Sequence, residues 1–332
     1  MILVTGDSGF IGRHLIRRLV RRGVSLRGID LHSKPGNSPS YLQVAGSITD
    51  RNAVMRAMRG VQCVIHLAAE HRDFGIPNEK YFEVNEAGTK QLLRCASELD
   101  IKRFIFYSSV AVYGTGGPSE EDAVAEPSTP YGASKLAGEL AVRAWAGEDP
   151  TRKAVIIRPT VVFGPFSRAN IRKLIAYVCD RKFIWVGSGE QVKSIAYVEN
   201  LVAATEFLLD DMRPGVEVFN YSDEPQMTTR QLVSLIAQKS GVAEPRWEIP
   251  LGVALQVAKV FDIVGALTNT DLPVTTARLR KFTTSTLYRS EAIRRRGFIP
   301  PYTIAEGLEQ TIKWYREDVK TGKPLQLESA GE

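Results

Sequence analysis

The sequence predicts an α/β fold, in which a doubly wound parallel sheet of about seven strands is joined to a smaller C-terminal mixed α/β substrate domain. Three observations support this fold. Short apolar runs alternate with helical patterns up to about residue 160, as in parallel sheets with crossover helices. A glycine-rich turn separates the first strand from the first helix, and the alternation loosens after residue 160. We therefore expect a sheet domain at residues 1–160, to which residues 194–222 return, a substrate-binding region at 161–193 and 223–327, and a frayed tail at 328–332.

The composition is that of an ordinary globular protein with a basic balance. The 332 residues carry a formal net charge of +6, with 44% hydrophobic and 24% charged residues, so the chain is long enough for a large core. Basic clusters such as Arg294–Arg296 have no interleaved aromatic residues, which favours solvated helix faces over a nucleic-acid surface. A modest positive balance also suits a polyanionic small substrate.

The cysteines indicate a reducing compartment. Cys63, Cys95 and Cys179 each lie in an apolar stretch, and none belongs to a C-x-x-C pair. We expect reduced core residues of a cytoplasmic protein without a metal site. The first strand begins at Ile2, which leaves no room for a signal peptide.

The longest apolar stretch runs from Ile249 to Leu267, and Lys259 and Asp262 interrupt it. These charges favour a buried or lid-forming helix over a membrane span.

The opening turn has the spacing of a dinucleotide-binding site. Gly6, Gly9 and Gly12 follow a short apolar strand and lead into a helical pattern. Gly6 permits the tight turn, Gly9 lets the backbone approach a pyrophosphate, and Gly12 packs the helix on the strand. The amides of Phe10 and Ile11 then face the phosphates at the N-terminus of the helix.

The second strand ends in an acid, Asp30, about twenty residues beyond the glycines. A carboxylate there bonds the ribose hydroxyls and repels a 2′-phosphate, so NAD is favoured over NADP. An aspartate that only caps a loop is the alternative.

The next strands are predicted at residues 42–48, 61–69, 102–107 and 154–157. His66 lies inside an apolar strand, so we interpret it as a core histidine. Glu70–Arg72 follows this strand at the rim of the crevice, with no role assigned. Ser108 and Ser109 end the 102–107 strand and are expected to point into the same crevice, unless they only cap the strand.

A helix beginning near Pro130 carries the predicted acid–base pair. Thr129 suits the cap and Pro130 the first position, which places Tyr131 and Lys135 one turn apart on one face. An ammonium beside a phenol favours the phenolate, so the tyrosine becomes an acid–base near neutral pH. A Y-x-x-x-K pair alone is weak evidence, because surface helices often contain one.

Beyond residue 160 we expect a helix at residues 170–178 and a strand at 183–186. A hairpin turn at 187–191 then leads to residues 193–198. A strand at 217–221 returns to the sheet, and the chain is helix-rich after residue 225.

Together these features resemble the extended short-chain dehydrogenase/reductase family, in particular nucleotide-sugar 4-epimerases of the UDP-glucose 4-epimerase type. The resemblance covers nearly the whole chain and depends on the order of several motifs. These are TGDSGFIG at 5–12, HLAA at 66–69, VNEAGT at 84–89, SSVAVYG at 108–114, YGASK at 131–135, RPTVVFGP at 158–165, KSIAYVEN at 193–200 and GFIPPYTIAEGL at 297–308.

The resemblance implies a Rossmann fold and specific roles for individual residues. Tyr131 would remove a proton from a sugar hydroxyl while a hydride passes to the nicotinamide. Lys135 would bond the nicotinamide ribose, and Ser109 would hold the sugar hydroxyl. The implied NAD-binding residues are Gly6, Gly9, Phe10, Ile11, Gly12, Asp30, Ser47, Ile48, Leu67, Ala68, Ala69, Ser108, Tyr131, Lys135 and Pro159.

The implied substrate-binding residues are Ser109 and Tyr131 at the sugar, with Asn170, Lys193 and Arg278 at the nucleotide diphosphate. Lys193 stands where the family usually has an arginine, and a lysine does not clamp phosphate in a bidentate manner. Ser47 stands where the family usually has an aspartate against adenine. The resemblance also implies a homodimer built from helices at residues 79–99 and 131–147.

The resulting expectation is an NAD-dependent 4-epimerase of a UDP-hexose or UDP-N-acetylhexosamine. One alternative is a 4-reductase of a nucleotide 4-keto-6-deoxy sugar, and another is a non-catalytic dinucleotide sensor. The family's dehydratases carry Asp-Glu after the catalytic hydroxyl residue, whereas Val110 and Ala111 stand here. Dehydration is therefore disfavoured.

Overall fold

The computed structural model describes residues 1–33, 41–72, 75–114, 119–167, 170–268, 275–276, 279 and 283–319. A seven-stranded sheet has the order β11-β6-β5-β4-β1-β2-β3, and every neighbouring pair is parallel. Its strands are β1 (Ile2–Thr5), β2 (Leu26–Asp30), β3 (Tyr41–Ala45), β4 (Cys63–His66), β5 (Arg103–Tyr107), β6 (Lys153–Pro159) and β11 (Gly215–Tyr221). The predicted doubly wound sheet is confirmed, including the return of residues 217–221.

The strand order reverses between β1 and β4, because the chain winds from β1 to β3 in one direction and from β4 to β6 in the other. Ligands of open α/β sheets bind beyond the carboxyl ends of the strands at such a switch point. The loops after β1 and β4 therefore line the predicted crevice.

Helices cover both faces of the sheet and form most of the C-terminal part. They are α1 (Phe10–Arg21), α2 (Arg51–Met58), α3 (Asn78–Tyr81), α4 (Gly88–Glu98), α5 (Pro130–Gly147), α6 (Asn170–Cys179), α7 (Val198–Asp210), α8 (Thr229–Ser240), α9 (Leu251–Thr268), α10 (Glu291–Arg295) and α11 (Ile304–Trp314). A π-helical segment, Phe82–Ala87, joins α3 to α4. A single-turn bulge of this kind frequently marks a functional site.

Two large hydrophobic clusters form most of the core, one on each face of the sheet, and a small third cluster surrounds Tyr113 and Tyr288. One packs Leu15 and Leu19 of α1 with Leu201 of α7 and Leu308 of α11. The other packs α2, α4 and α5 on the opposite face. The three cysteines are buried and unpaired, as expected. The boundary between a sheet domain and a substrate region stays a prediction.

The remaining strands are short and pair outside the main sheet. They are β7 (Val161–Phe163), β8 (Trp185–Val186), β9 (Val192–Lys193), β10 (Ile195–Tyr197), β12 (Met227–Thr228) and β13 (Glu248–Ile249). The predicted hairpin at residues 187–191 is wrong, because β8 pairs with β13 and β9 with β12. Instead, the carbonyls of Gly189 and Gln191 accept hydrogen bonds from the first amides of α8.

The apolar stretch after residue 249 forms a helix, α9, as expected. Of the two predicted alternatives the buried helix is wrong, and a lid-forming role stays a prediction. Only its Ala254 and Ala258 are fully buried among the side chains described, and the helix presents a row of valines to solvent. Within the described part of the chain, no helix combines the length and apolarity needed to cross a membrane.

Candidate active site

Two glycines of the first turn lie so close to neighbouring backbone that a side chain would not fit there. Gly6 has φ +70°, and a Cβ there would lie 2.7 Å from the amide nitrogen of Ala68. A Cβ on Gly12 would lie 2.3 Å from the carbonyl oxygen of Gly6. The turn is thus in direct contact with the start of α1, as the sequence predicts, and with the segment after β4, which was not predicted.

The start of α1 is open to an anion. Gly9 is the cap residue, Phe10 and Ile11 form the first helical positions, and no acidic residue lies in the first turn. The N-terminal amides of a helix attract phosphate. This cradle fits the diphosphate of a dinucleotide.

Asp7, inside the same turn, organises the first three strands. Its carboxylate accepts hydrogen bonds from the Ser33 hydroxyl at 3.2 Å and the Gln43 amide at 3.0 Å, and also from the Tyr41 hydroxyl. Burial, and then the hydrogen bond to Asp7, raise the pKa of Tyr41. This network was not predicted, because its partners lie 26 to 36 residues away.

Asp30 and Ser47 lie side by side at the ends of β2 and β3. The Gly46 amide donates to the Asp30 carbonyl at 3.1 Å, and Asp30 Oδ1 accepts from the His32 amide at 2.8 Å. Ser47 Oγ accepts from the Thr49 amide at 3.1 Å. The edge of the crevice where ribose and adenine are expected therefore carries the Asp30 carboxylate and the hydroxyls of Ser47 and Thr49, which lie 2.7 Å apart, next to the buried Ile48.

The segment Leu67–Ala69 continues from β4 and is held by Thr5. The Leu67 amide donates to the Thr5 carbonyl, and the Ala68 amide donates to the Thr5 hydroxyl. His66 is a core histidine, because its ring nitrogens lie 2.7 Å from Thr5 Oγ1 and 2.9 Å from Thr89 Oγ1. Burial, assisted by the charge of Lys135, holds its pKa well below the ordinary value.

The two serines at the end of β5 differ in their surroundings. The Ser108 hydroxyl is buried and donates to Glu139 at 2.5 Å. Ser109 is partly exposed and caps the 3₁₀ turn Val110–Tyr113, with its Oγ accepting from the Ala111 amide at 3.1 Å. Of the two predicted crevice serines, Ser108 is thus engaged in the core and Ser109 is the more exposed.

The capped start of α5 lies against this 3₁₀ turn. Thr129 Oγ1 accepts from the Gly132 amide at 3.1 Å, which confirms the predicted cap. A Cβ on Gly132 would lie 2.4 Å from the Ala111 carbonyl oxygen. The close contact brings Tyr131 beside the Ser109 turn, and its ring packs edge-on against Tyr81 at 6.2 Å.

Lys135 follows one turn along α5 and is buried, with 2% of its surface exposed. Its ammonium lies 4.3 Å from the centroid of the Phe106 ring. Burial lowers the pKa of Lys135 to about 7, against an opposing effect of the Glu139 charge. The lysine therefore titrates near neutral pH in the protein without ligands.

A buried ion pair between Glu139 of α5 and Arg158 of β6 joins this helix to the sheet. The Arg158 guanidinium binds Glu139 through two parallel hydrogen bonds, of 2.8 and 2.6 Å. It also donates to the Tyr113 hydroxyl at 2.6 Å. Burial acts to lower the pKa of Arg158, but the bonds and charge of Glu139 raise it overall.

Glu139 and Arg158 were missed in the sequence, although two signals were present. Glu139 lies one turn beyond Lys135, and Arg158 lies in an apolar strand. A charged residue in a buried strand requires a partner.

Asn85 joins the loop after β4 to α5. Its side chain exchanges two hydrogen bonds with the Glu70 backbone, of 2.7 and 2.9 Å, and donates to the Ser134 hydroxyl. Glu70 pairs with Arg72, whose hydrogen bonds lower the pKa of Glu70 to about 2. The charges of the unassigned loop thus neutralise each other.

The residues predicted to bind the substrate diphosphate show no hydrogen bonds with one another in the described part of the chain. Asn170 is exposed at the start of α6, and the Lys193 ammonium donates to the Thr284 carbonyl at 2.5 Å. Arg278 lies outside the described residues. Pro159 ends β6 beside Tyr221. Their binding roles stay predictions.

The chain is similar to known sugar epimerases in sequence and matches one family model. The model of the NAD dependent epimerase/dehydratase family matches residues 2–221. The chain is 33% identical over 315 residues to the N-acetyl-alpha-D-glucosaminyl-diphospho-ditrans,octacis-undecaprenol 4-epimerase of Escherichia coli O157:H7, covering 94% of each chain. It is 31% identical over 326 residues to the UDP-glucose 4-epimerase of Vibrio cholerae, also covering 94% of each.

Its fold is similar to that of the UDP-glucuronic acid 4-epimerase from Bacillus cereus, solved in complex with NAD. The TM-score is 0.75 at 22% identity, over 97% of this chain and 99% of that one.

Proposed function

Because the chain belongs to the NAD dependent epimerase/dehydratase family, we propose that it inverts C4 of a hexose or N-acetylhexosamine carried on a diphosphate. What supports the proposal is that the start of α5, which carries Tyr131 and the buried Lys135, packs through Gly132 against the 3₁₀ turn that Ser109 caps. A hydroxyl, a phenol and a buried lysine suffice to move one proton at a sugar hydroxyl.

The residues present fit NAD, the cofactor of this family. A Cβ on Gly6 or Gly12 would fill the cradle at the start of α1, and Asp30 ends β2 where the ribose is expected. A carboxylate there favours two ribose hydroxyls over a 2′-phosphate.

The chain's own residues would handle the proton and the orientation of the sugar. When bound, NAD supplies reversible hydride acceptance at C4. The Tyr131 phenolate takes the C4 hydroxyl proton and returns it after the keto sugar has turned over. Ser109 holds the same hydroxyl, and the Lys135 ammonium favours the phenolate and donates to the nicotinamide ribose.

The two residues after Ser109 favour epimerisation over elimination of water. Val110 and Ala111 occupy the 3₁₀ turn, so no carboxylic acid stands in the place that dehydratases of the family use. A 4-keto intermediate would therefore be reduced again without loss of water.

The carrier of the sugar is either a nucleoside or a lipid, and both present a diphosphate. A UDP-hexose or UDP-N-acetylhexosamine is the first candidate, as the name of the Vibrio cholerae relative indicates. The Escherichia coli relative is named for an undecaprenyl diphosphate substrate and is similar over 94% of both chains. This similarity favours the lipid carrier as the second candidate. Asn170, Lys193 and Arg278 are proposed as ligands of the diphosphate in either case.

The assembly and location also remain proposals. Exposed Phe82, in the π-helical segment between α3 and α4, and exposed Leu140 on α5 support a homodimer through the 79–99 and 131–147 helices. The three reduced, buried cysteines support a cytoplasmic location.

The test is product analysis with purified protein and NAD. UDP-glucose, UDP-N-acetylglucosamine and N-acetylglucosaminyl diphosphoundecaprenol are each incubated and their sugars separated. We expect a mixture of C4 epimers from at least one substrate. Tyr131→Phe should lower the rate by about 10² to 10⁴, whereas the control Tyr177→Phe, at an exposed position on α6, should not.

Two results would contradict the proposal. Near-normal turnover by Tyr131→Phe would refute the proton transfer. Oxidation of NADH or NADPH with a 4-keto sugar nucleotide, without interconversion of epimers, would replace the epimerase by a 4-reductase.

A further inference from the structure

Helix α9 carries an apolar stripe on its solvent-exposed side. Ala254 and Ala258 pack inward. The exposed positions Val253, Val257, Val260, Phe261 and Val264 recur at the spacing of one helix face. A surface helix normally carries polar residues on this side, so the stripe indicates a contact with something apolar.

The stripe continues onto the strand pair that precedes it. Trp247 is 80% exposed, and its carbonyl accepts a hydrogen bond from the backbone of β8. Ile249 of β13 and Ile184, next to β8, are also exposed. We call the exposed α9 stripe together with Ile184, Trp247 and Ile249 the apolar platform.

Basic residues accompany the apolar platform in the sequence. Arg181 and Lys182 precede Ile184, Arg246 precedes Trp247, and Lys259 lies on α9; all four are exposed. Glu248 is the exposed acid beside Trp247. Exposed aliphatic side chains, a tryptophan and surrounding cations are the combination that binds the interface of an anionic bilayer.

Helix α9 also contacts the chain shortly before Arg278 in the sequence. Asp262 of α9 accepts hydrogen bonds of 3.2 Å from the backbone amide of Thr276. Thr276 precedes Arg278, the proposed diphosphate ligand, by two residues in the chain.

We infer that the apolar platform docks on the surface of an anionic lipid bilayer, from which the enzyme takes a polyprenyl diphosphate-linked sugar. This inference rests on the proposed function and selects its lipid carrier. A bilayer requires apolar and basic side chains without a complementary shape, which agrees with a platform built from separate valines and isoleucines, one phenylalanine and one tryptophan.

Trp247 provides a direct reporter of docking. The other tryptophans, Trp145, Trp185 and Trp314, are buried, so a change in the environment of an exposed tryptophan reports on Trp247. Protein without sugar substrate is titrated with vesicles of phosphatidylcholine, with or without phosphatidylglycerol. We expect a blue shift of emission with the anionic vesicles that weakens at high salt and is absent in Trp247→Phe.

Co-sedimentation with the same vesicles measures the contribution of α9. Val257→Glu combined with Val260→Glu should weaken vesicle binding by at least roughly tenfold, because two side chains that the bilayer would cover become charged. Ile299→Glu, at an exposed apolar position outside the platform, is the control and should bind normally. The α9 variant should retain epimerisation of a soluble UDP-sugar if the wild type shows it. If the double variant does not fold, the Trp247 emission titration with its Trp247→Phe control still tests docking.

Three results would overturn the inference: no vesicle binding by the wild type, equal binding by the α9 variant, or a change of oligomeric state as the only effect of that variant. The last result would assign the platform to a second copy of the chain. Vesicle binding is measured without turnover, so the two proposals are tested separately. Absence of vesicle binding would not refute the epimerase proposal, and absence of epimerisation would not change the vesicle-binding result.

Discussion

Lys135→Met tests the burial of the proposed catalytic lysine through protein stability. Burial lowers the pKa of Lys135 from 10.5 to about 7. The difference corresponds to about 5 kcal/mol of destabilisation when the ammonium is kept charged inside the protein. A methionine of similar length removes this penalty, so the apoprotein should gain stability while it loses affinity for NAD.

The pH dependence distinguishes this cause from a change in packing. Between pH 7 and 10.5 the unfolded chain binds the Lys135 proton and the folded chain does not, so the penalty is full below about pH 7 and shrinks as pH rises. At pH 6 it is about 5 kcal/mol and at pH 9.5 about 1.4 kcal/mol. Packing effects do not change between these pH values.

The assay is urea unfolding of the wild type and Lys135→Met without NAD at pH 6 and pH 9.5. The stability advantage of the variant should be greater at pH 6 by about 3 kcal/mol. Lys313→Met, at an exposed position on α11, is the matched control. An equal difference between wild type and Lys135→Met at both pH values would refute the burial of a titrating ammonium.

Three further substitutions test other parts of the site. Asp30→Ala should raise the affinity for NADP relative to NAD by at least about tenfold in calorimetric titration, because a charge that repels the 2′-phosphate is removed; an unchanged ratio would exclude Asp30 from cofactor selection. Ser109→Ala should lower the turnover rate by less than Tyr131→Phe does, because the sugar hydroxyl still reaches the phenol, and a larger loss would reverse the two roles. Glu139→Gln should cost about 3 kcal/mol of unfolding free energy by leaving Arg158 with an unbalanced buried charge, and unchanged urea unfolding would show that the pair contributes no stability.

The parts of the site that depend on local chain geometry were predictable from the sequence. Gly6, Gly9 and Gly12 specify a turn through their spacing, and Tyr131 and Lys135 share a helix face that Thr129 caps. The parts that depend on distant contacts were not. Nothing in the chain near Asp7 shows that it binds Tyr41 and Gln43 across β3.

The errors in the C-terminal part have physical causes. Strands of two residues, such as β8 and β9, carry too little periodicity to reveal their partners, so two of them were joined in a hairpin that does not form. The apolar composition of α9 was interpreted as a buried or lid-forming helix, because most apolar helices of globular proteins are buried. Its exposure depends on which elements pack beside it, which the composition does not report.

The central claim is inversion at C4 by removal and return of the same hydrogen. Its most direct test uses a sugar diphosphate deuterated at C4, incubated in ordinary water with the enzyme and NAD and followed by nuclear magnetic resonance. We expect both C4 epimers with the deuterium retained at C4 and no net NADH. Epimers that have lost the deuterium to solvent, or a substrate recovered without inversion while the protein remains folded and NAD-bound, would contradict the claim.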